Sequence, residues 1–125
     1  GGVIGLCPHA VMNQREPGRR PTVDDYIDAF LYVADLTGSM DHAGVGTDRW
    51  SRNTLANDFK RVGFERTTRG FFGEYDGNHK HVAGFNYYDE WENLVDRMLA
   101  RGIAPDDVSK LLGGNFLRVF GQVWK

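Results

Sequence analysis

The sequence has little of what several protein classes require. Its 125 residues contain a single cysteine, Cys7, so no internal disulfide can form. Within its short apolar run, Cys7 is expected to be a small buried hydrophobe. No apolar stretch approaches the roughly 18 residues of a membrane-spanning helix. The first residues lack a basic start and are interrupted by Pro8, which argues against a signal peptide. These absences leave the compartment open.

An excess of charge of one sign is also lacking. The 15 Lys and Arg residues nearly balance the 17 Asp and Glu residues, which gives a formal net charge of −2 with neutral histidines. This balance offers no electrostatic reason to expect nucleic acid or an anionic membrane as a partner. Arg15, Arg19 and Arg20 cluster in one stretch, and we interpret them as a solvated loop. The length and the hydrophobic content of 41% are typical of one globular domain.

The first third of the chain carries the pattern of a strand, a helix and a second strand. Residues 3–7 form a short apolar run, typical of a strand buried on both faces. Thr22 is a candidate N-cap, and helical spacing of the apolar residues predicts a helix over 22–37 that Gly38 ends. Residues 43–47 are a second buried-strand candidate. The order predicts a βαβ unit whose two strands are parallel.

Residues 49–88 have no sustained helical period and are predicted to be a long loop. An Asp-Gly pair favours a hairpin at 71–78 within it. A loop of this length is unusual in a compact domain unless it has a function.

Helical patterns return after this loop. A helix is predicted over 89–101, with Asp89 as its N-cap. Pro105 begins the next helix, and the glycine pair at 113–114 ends it. Asn115 is predicted to cap the last helix.

Asp48 is the best candidate for chemistry. It follows the second predicted strand, in which Gly44 and Gly46 leave little side-chain bulk. In parallel α/β folds, ligands and catalytic groups collect at the carboxyl ends of the strands. From spacing alone, an aspartate that caps the following turn is the commoner explanation.

The histidines offer weaker candidates. His9 follows the first strand, where substrate contact is one hypothesis and loop solvation the commoner one. His79 and His81 have a His-x-His spacing, but two ligands are too few for a zinc site. We therefore predict that these two lie in an exposed polar turn. His42 precedes the second strand and is interpreted as structural.

Three segments resemble one family. Residues 110–120, K-L-L-G-G-N-F-L-R-V-F, resemble the carboxy-terminal end of the membrane dipeptidase (renal dipeptidase-like) family of metallopeptidases. Residues 1–6 and the string A-G-V-G-T-D at 43–48 resemble segments that precede it in the family. The resemblance implies an α/β fold, namely the C-terminal part of a (β/α)8 TIM barrel. The implied seventh strand is residues 3–7, and the seventh helix is residues 22–37. The implied eighth strand is residues 43–48, and the eighth helix is residues 89–101. Residues 105–124 would form the two closing helices.

The same resemblance implies a function. It makes residues 1–125 a partial barrel domain of a zinc-dependent dipeptidase, with 49–88 as an enlarged loop after strand eight. Two zinc ions would polarise a dipeptide's amide carbonyl and hold the attacking hydroxide. Asp48 would take a proton from the metal-bound water and pass it to the leaving amine, and His9 would lie where substrate binds.

The family's metal ligands are a His-x-Asp pair, a bridging glutamate and two later histidines. They match no position in this sequence, so no metal ligand is predicted in it, and the ligands are expected on strands upstream. A barrel needs about 250 residues. The 125-residue chain by itself is therefore expected to be inactive.

Other features leave room for a different interpretation. Many family members follow the aspartate with an aromatic residue and Asp-Gly, whereas this chain has R-W-S-R at 49–52. That difference leaves substrate specificity open. The alternative function is a truncated, non-catalytic relative that serves as a protein-interaction module. Exposed sheet edges would also favour a homo-oligomer. The proposed contact residues of the module are Phe71, Phe72, Tyr75, Phe85, Tyr87 and Tyr88.

Overall fold

The computed structural model describes residues 1–48 and 81–124. The hairpin predicted at 71–78 and most of the loop predicted over 49–88 lie outside these residues.

The two predicted strands are present and parallel. Strand β1 is Ile4–Leu6 and strand β2 is Ala43–Val45. A further hydrogen bond, from the Gly46 amide to the Leu6 carbonyl at 2.8 Å, extends their contact beyond the ladder. Both strands are shorter than predicted, but the predicted βαβ order is confirmed. The paired residues are Ile4 with Ala43, Gly5 with Gly44, and Leu6 with Val45.

Two helices lie between the strands. Helix α1, Ala10–Asn13, is a single turn that the sequence pattern did not predict. Helix α2, Val23–Thr37, begins at the predicted cap, where Thr22 and Asp25 form a capping box. It ends at Gly38, whose φ of +74° suits a residue without Cβ. A 3-10 turn, Met40–His42, then leads into β2.

The C-terminal helices begin differently from the prediction. Asp89 is not the cap of a helix over 89–101, because a 3-10 turn, Tyr88–Glu90, precedes helix α3, Trp91–Ala100. The Glu90 carboxylate accepts hydrogen bonds from the amides of Asn86 and Tyr87. It therefore satisfies two backbone donors that precede the 3-10 turn.

The predicted break at the glycine pair is confirmed as a kink at Gly113. The kink lies in the turn Lys110–Gly114, which separates helix α4, Pro105–Ser109, from helix α5, Asn115–Val123. The backbone leaves helical geometry at Gly113 alone within that turn.

The core lies between the sheet and helices α2, α3 and α4. Tyr26 stacks on Phe85 at a ring-centroid distance of 6.1 Å, and Trp91 meets the edge of Phe85 at 5.1 Å. Among the apolar residues whose helical spacing predicted α2, Tyr26, Ile27 and Phe30 are buried. The core residues are Tyr26, Ile27, Phe30, Ala43, Val82, Phe85, Leu94, Met98, Ile103, Val108 and Leu111.

Asn115 does not act as an N-cap. Its side chain is buried and donates one hydrogen bond to the Met40 carbonyl at 2.7 Å and another to the Ala43 carbonyl at 2.8 Å. The amide therefore fastens the start of α5 to the start of β2. A pattern of neighbouring residues suggested a cap, whereas the real partners are more than 70 residues away in the sequence.

Phe116 covers the paired glycines of the sheet. A Cβ placed on Gly44 would fall on the Phe116 ring, and one on Gly5 would lie 3.3 Å from its Cζ atom. The missing side chains thus allow α5 to approach the strands closely.

We predict that Gly44→Ala destabilises the protein by about 1–3 kcal/mol, because the new methyl group must displace an aromatic ring. Chemical unfolding monitored by circular dichroism measures this. Gly121→Ala is the matched control, since Gly121 is exposed in α5 and nothing lies within 4 Å of the added Cβ. It should leave stability unchanged or raise it by up to about 1 kcal/mol. Equal stability of the two variants would contradict the packing described above.

We also predict that Asn115→Ala lowers the free energy of unfolding by about 1–3 kcal/mol, because one buried and one partly buried carbonyl group lose their donor. Asn115→Asp should cost more, since it turns a carboxylate toward those carbonyl oxygens. Asn93→Ala, at an exposed position of α3, is the control and should stay within about 0.5 kcal/mol of the wild type. An Asn115→Asp variant as stable as the wild type would refute the role of the amide.

Candidate functional site

Three segments meet at the carboxyl ends of β1 and β2. One follows β1, one follows β2 and ends at Asp48, and the third enters the described part of the chain at His81. An antiparallel bridge joins His9 to His81, and a parallel bridge joins Thr22 to Ala83. We call His9, Asp48 and His81 the carboxyl-edge cluster.

Asp48 lies three residues after the end of β2, at the edge where the sequence predicted a catalytic group. The residue is exposed, and its φ of +39° lies in the left-handed region. Residues with a Cβ rarely adopt this conformation, although aspartate and asparagine tolerate it better than most. Its backbone therefore needs support from neighbouring groups.

His9 is buried rather than solvated. Only 5% of its surface is exposed, so the commoner interpretation as a solvated loop residue is wrong. The short helix α1 explains the burial, because the Asn13 side chain donates to the carbonyls of Cys7 and His9 and folds this segment back. A role for His9 in substrate contact stays a prediction.

His81 is likewise buried, with 3% of its surface exposed, so the predicted exposed polar turn is wrong at this position. His79 lies outside the described residues. The His81 ring nitrogen Nε2 lies 3.2 Å from the backbone oxygen of Asp48, and its ring meets that of His9 at 5.9 Å, edge to face. Sequence reasoning missed this residue as a member of the cluster.

Backbone hydrogen bonds hold the segment 81–83 against the segment that follows β1. The Val82 amide donates to the Pro8 carbonyl at 2.9 Å, and the Ala83 amide donates to the Pro21 carbonyl at 2.8 Å. The Ala83 carbonyl accepts from the Val23 amide at the start of α2. These hydrogen bonds place His81 beside His9 and fix its position relative to Asp48.

The basic cluster predicted to be a solvated loop is engaged in contacts. Arg20 donates to the His81 carbonyl at 3.0 Å. Arg19 forms two hydrogen bonds with the Asp25 carboxylate, at 2.7 and 3.0 Å. Arg15 lies 3.3 Å from a carboxylate oxygen of Asp28. Arg20 therefore contacts the carboxyl-edge cluster, whereas Arg15 and Arg19 contact carboxylates of α2.

Two further outcomes concern metal ions and the interaction module. Within residues 1–48 and 81–124, no three His, Cys, Asp or Glu side chains lie close enough to hold a metal ion. Phe85 is part of the core, so its predicted role as a contact residue of an interaction module is wrong. Tyr88 is exposed and Tyr87 half-buried, whereas the other three aromatic residues lie outside the described part. None of the described helices is long and apolar enough to cross a membrane.

Comparison with known families agrees with the resemblance. The family described as membrane dipeptidase (peptidase family M19) matches residues 60–125, which is more than half of the chain. The chain belongs to the membrane dipeptidase family. Dipeptidase tcpJ of Claviceps purpurea is 28% identical over 122 residues, which are 98% of this chain and 22% of that relative. Dipeptidase aclJ of Aspergillus oryzae is 23% identical over 122 residues, with the same shares.

A solved structure extends the likeness to the fold. An amidohydrolase from Pseudomonas aeruginosa superimposes with a TM-score of 0.72 and 28% sequence identity, covering 99% of this chain and 37% of that one. Membership of the membrane dipeptidase family and this neighbour together imply a TIM-barrel-like fold. The chain spans about a fifth of the length of the curated dipeptidases that it matches.

The Asp25 carboxylate lies in the first turn of α2 and forms an ion pair with Arg19. The Arg19 guanidinium, assisted by the amide and hydroxyl of Thr22, holds the pKa of the Asp25 carboxyl well below its usual range, although burial acts in the opposite direction. On the outer face, Arg97 and Arg101 lower the pKa of Asp24. These ion pairs connect α2 to the loop that carries Arg19 and to the C-terminal end of α3.

The Asp25 ion pair predicts an acid-dependent loss of stability. Because the folded pKa lies below the unfolded value of about 4, the pair stabilises the fold above that pH and is lost as the pH falls toward the folded pKa. Arg19→Gln should therefore be destabilised at pH 7 and should lose less stability than the wild type between pH 5 and about 2.

Urea unfolding across this pH range measures the effect. Arg15→Gln is the control, since Arg15 is half-exposed and lies 3.8 Å from the Asp25 carboxylate. Its pH dependence should stay close to that of the wild type. Identical pH dependence of Arg19→Gln and the wild type would show that the pair does not stabilise the fold.

Proposed function

We propose that this chain is the C-terminal part of a zinc-dependent dipeptidase that hydrolyses the amide bond of dipeptides. The observation that carries the proposal is the position of Asp48 at the carboxyl end of β2, in a chain of the membrane dipeptidase family. In barrel enzymes of this kind, catalytic side chains emerge from that end of the strands.

The sheet supports the assignment of a partial barrel. Among the described residues the sheet has two short parallel strands, β1 and β2, so each has one edge without a strand partner there. In our proposal these are the seventh and eighth strands of a (β/α)8 barrel, and those edges pair with neighbouring strands of the longer protein. Residues 1–125 then form one partial domain, with 49–88 as an enlarged loop after strand eight.

The metal site belongs to the longer protein in this proposal. The described residues do not supply a ligand set, and the family's ligand motif has no match in the sequence. When bound, two zinc ions would supply Lewis-acid activation of water and of the scissile carbonyl. The isolated 125-residue chain is accordingly proposed to be inactive.

Within this scheme, the residues of the chain move the proton and bind the substrate. The Asp48 carboxylate accepts a proton from the attacking water and returns it to the amine of the leaving amino acid. His9, in the same carboxyl-edge cluster, contacts the bound dipeptide. The exposure of Asp48 fits a group that must meet substrate, and the burial of His9 fits a ring with a fixed orientation.

The test uses the full-length protein with zinc, simple dipeptides and detection of released amino acids. We expect hydrolysis by the full-length protein and none by residues 1–125 alone. Asp48→Asn should lower kcat roughly 100- to 10,000-fold, because a general acid–base group is removed. Asparagine is chosen because it tolerates the left-handed backbone of Asp48.

Asp96→Asn provides the matched control, since Asp96 is exposed on α3, and it should keep wild-type kcat. Wild-type kcat in Asp48→Asn would refute the role of Asp48. Zinc-dependent hydrolysis by the 125-residue chain would refute its proposed inactivity.

A further inference from the structure

The backbone of Asp48 is held in a conformation that it would rarely adopt alone. A residue with a Cβ at φ +39° costs about 1–2 kcal/mol relative to an ordinary backbone conformation. The direction in which the carboxylate leaves the strand depends on this angle. A group that holds the backbone therefore also controls where the carboxylate lies.

His81 is placed to do this. Its Nε2 lies 3.2 Å from the Asp48 backbone oxygen. A carbonyl oxygen only accepts hydrogen bonds, so Nε2 must carry the proton and donate it. The hydrogen bond thus joins the buried ring to the peptide group that leaves Asp48.

His81 is itself fixed from several directions. Arg20 donates to its carbonyl at 3.0 Å, and the next residue, Val82, donates its amide to Pro8 at 2.9 Å. Its ring packs on the edge of His9 and is 3% exposed. A donor held this firmly can impose a position on a more exposed partner.

We propose that His81 is a positioning residue for Asp48, and that its Nε2–H holds the Asp48 peptide so that the carboxylate meets the attacking water. The inference rests on the proposed function, because it concerns the proton transfer assigned to Asp48. His81 contacts neither substrate nor metal in this scheme and acts through Asp48 alone.

Two amide variants in the full-length protein separate this role from simple packing. The amide of His81→Gln reaches roughly the position of Nε2 and can donate to the Asp48 oxygen. The amide of His81→Asn ends near the position of Nδ1 and is too short. We expect His81→Asn to lower kcat roughly 10- to 100-fold with little change in KM, and His81→Gln to recover most of the loss. Thermal unfolding midpoints should be similar for the two variants.

A double variant completes the test. If His81 acts through the Asp48 carboxylate, adding His81→Asn to Asp48→Asn should leave the residual kcat within about threefold of Asp48→Asn alone. If His81→Asn lowers kcat in the Asp48→Asn background by the same factor as in the wild type, His81 acts independently of Asp48 and the inference is overturned. Equal loss of kcat in His81→Gln and His81→Asn would overturn it as well, because reach would then not matter.

Two outcomes distinguish failure of the positioning role of His81 from failure of the proposed dipeptidase function. Activity that depends on Asp48 but is unchanged in His81→Asn would refute the positioning role and leave the proposed function intact. A full-length protein that hydrolyses no dipeptide with zinc would refute the proposed function, and the positioning role with it.

Discussion

The close contact between the Phe116 ring and the paired glycines determines how the C-terminal helix meets the sheet. Two strands of three residues provide few ladder hydrogen bonds, so their position depends on groups outside the sheet. Phe116 packs on the backbone at Gly5 and Gly44, while the neighbouring Asn115 amide binds the carbonyls that precede and begin β2. Helix α5 thus fixes β2 in direction and height. The position of Asp48 beyond the carboxyl end of β2 therefore depends on the position of this strand.

The opposite end of the sheet is held by polar contacts. Backbone hydrogen bonds join 81–83 to the segment after β1, the Tyr26 hydroxyl donates to the Leu6 carbonyl at 2.6 Å, and Arg20 holds the carbonyl of His81. The contact between Phe116 and Gly44 leaves no space for an added Cβ atom. The hydrogen bonds of the loops fix the orientation of the groups that they join. Together these contacts fix both ends of the short sheet, and in our proposed function they would hold the Asp48 carboxylate at a defined place.

Local sequence signals predicted much of this fold, and distant partners account for the rest. The Thr22 cap, the helical spacing through Phe30 and the stop at Gly38 each depend on residues a few positions apart, and all are confirmed. The location of Asp48 at a strand end followed from the same local pattern. Asn115 was misread, because an asparagine after a glycine pair has the local form of a cap while its partners lie in another segment.

His81 shows the same limit more sharply. A histidine in a polar, glycine-rich stretch is usually exposed, which led to the prediction of an exposed turn. Its burial comes from Arg20, 61 positions away, and from the segment after β1. Those contacts arise only once the βαβ unit is assembled, so no reading of local pattern could include them.

The hydrogen bond between His81 and Asp48 also brings two distant positions of the chain together. The two residues are 33 positions apart, yet their atoms meet at 3.2 Å. Loop-closure entropy rises slowly, by only about 0.6 kcal/mol for each doubling of length. A change in the number of residues between the two positions would therefore alter the free-energy cost of bringing them together only slightly.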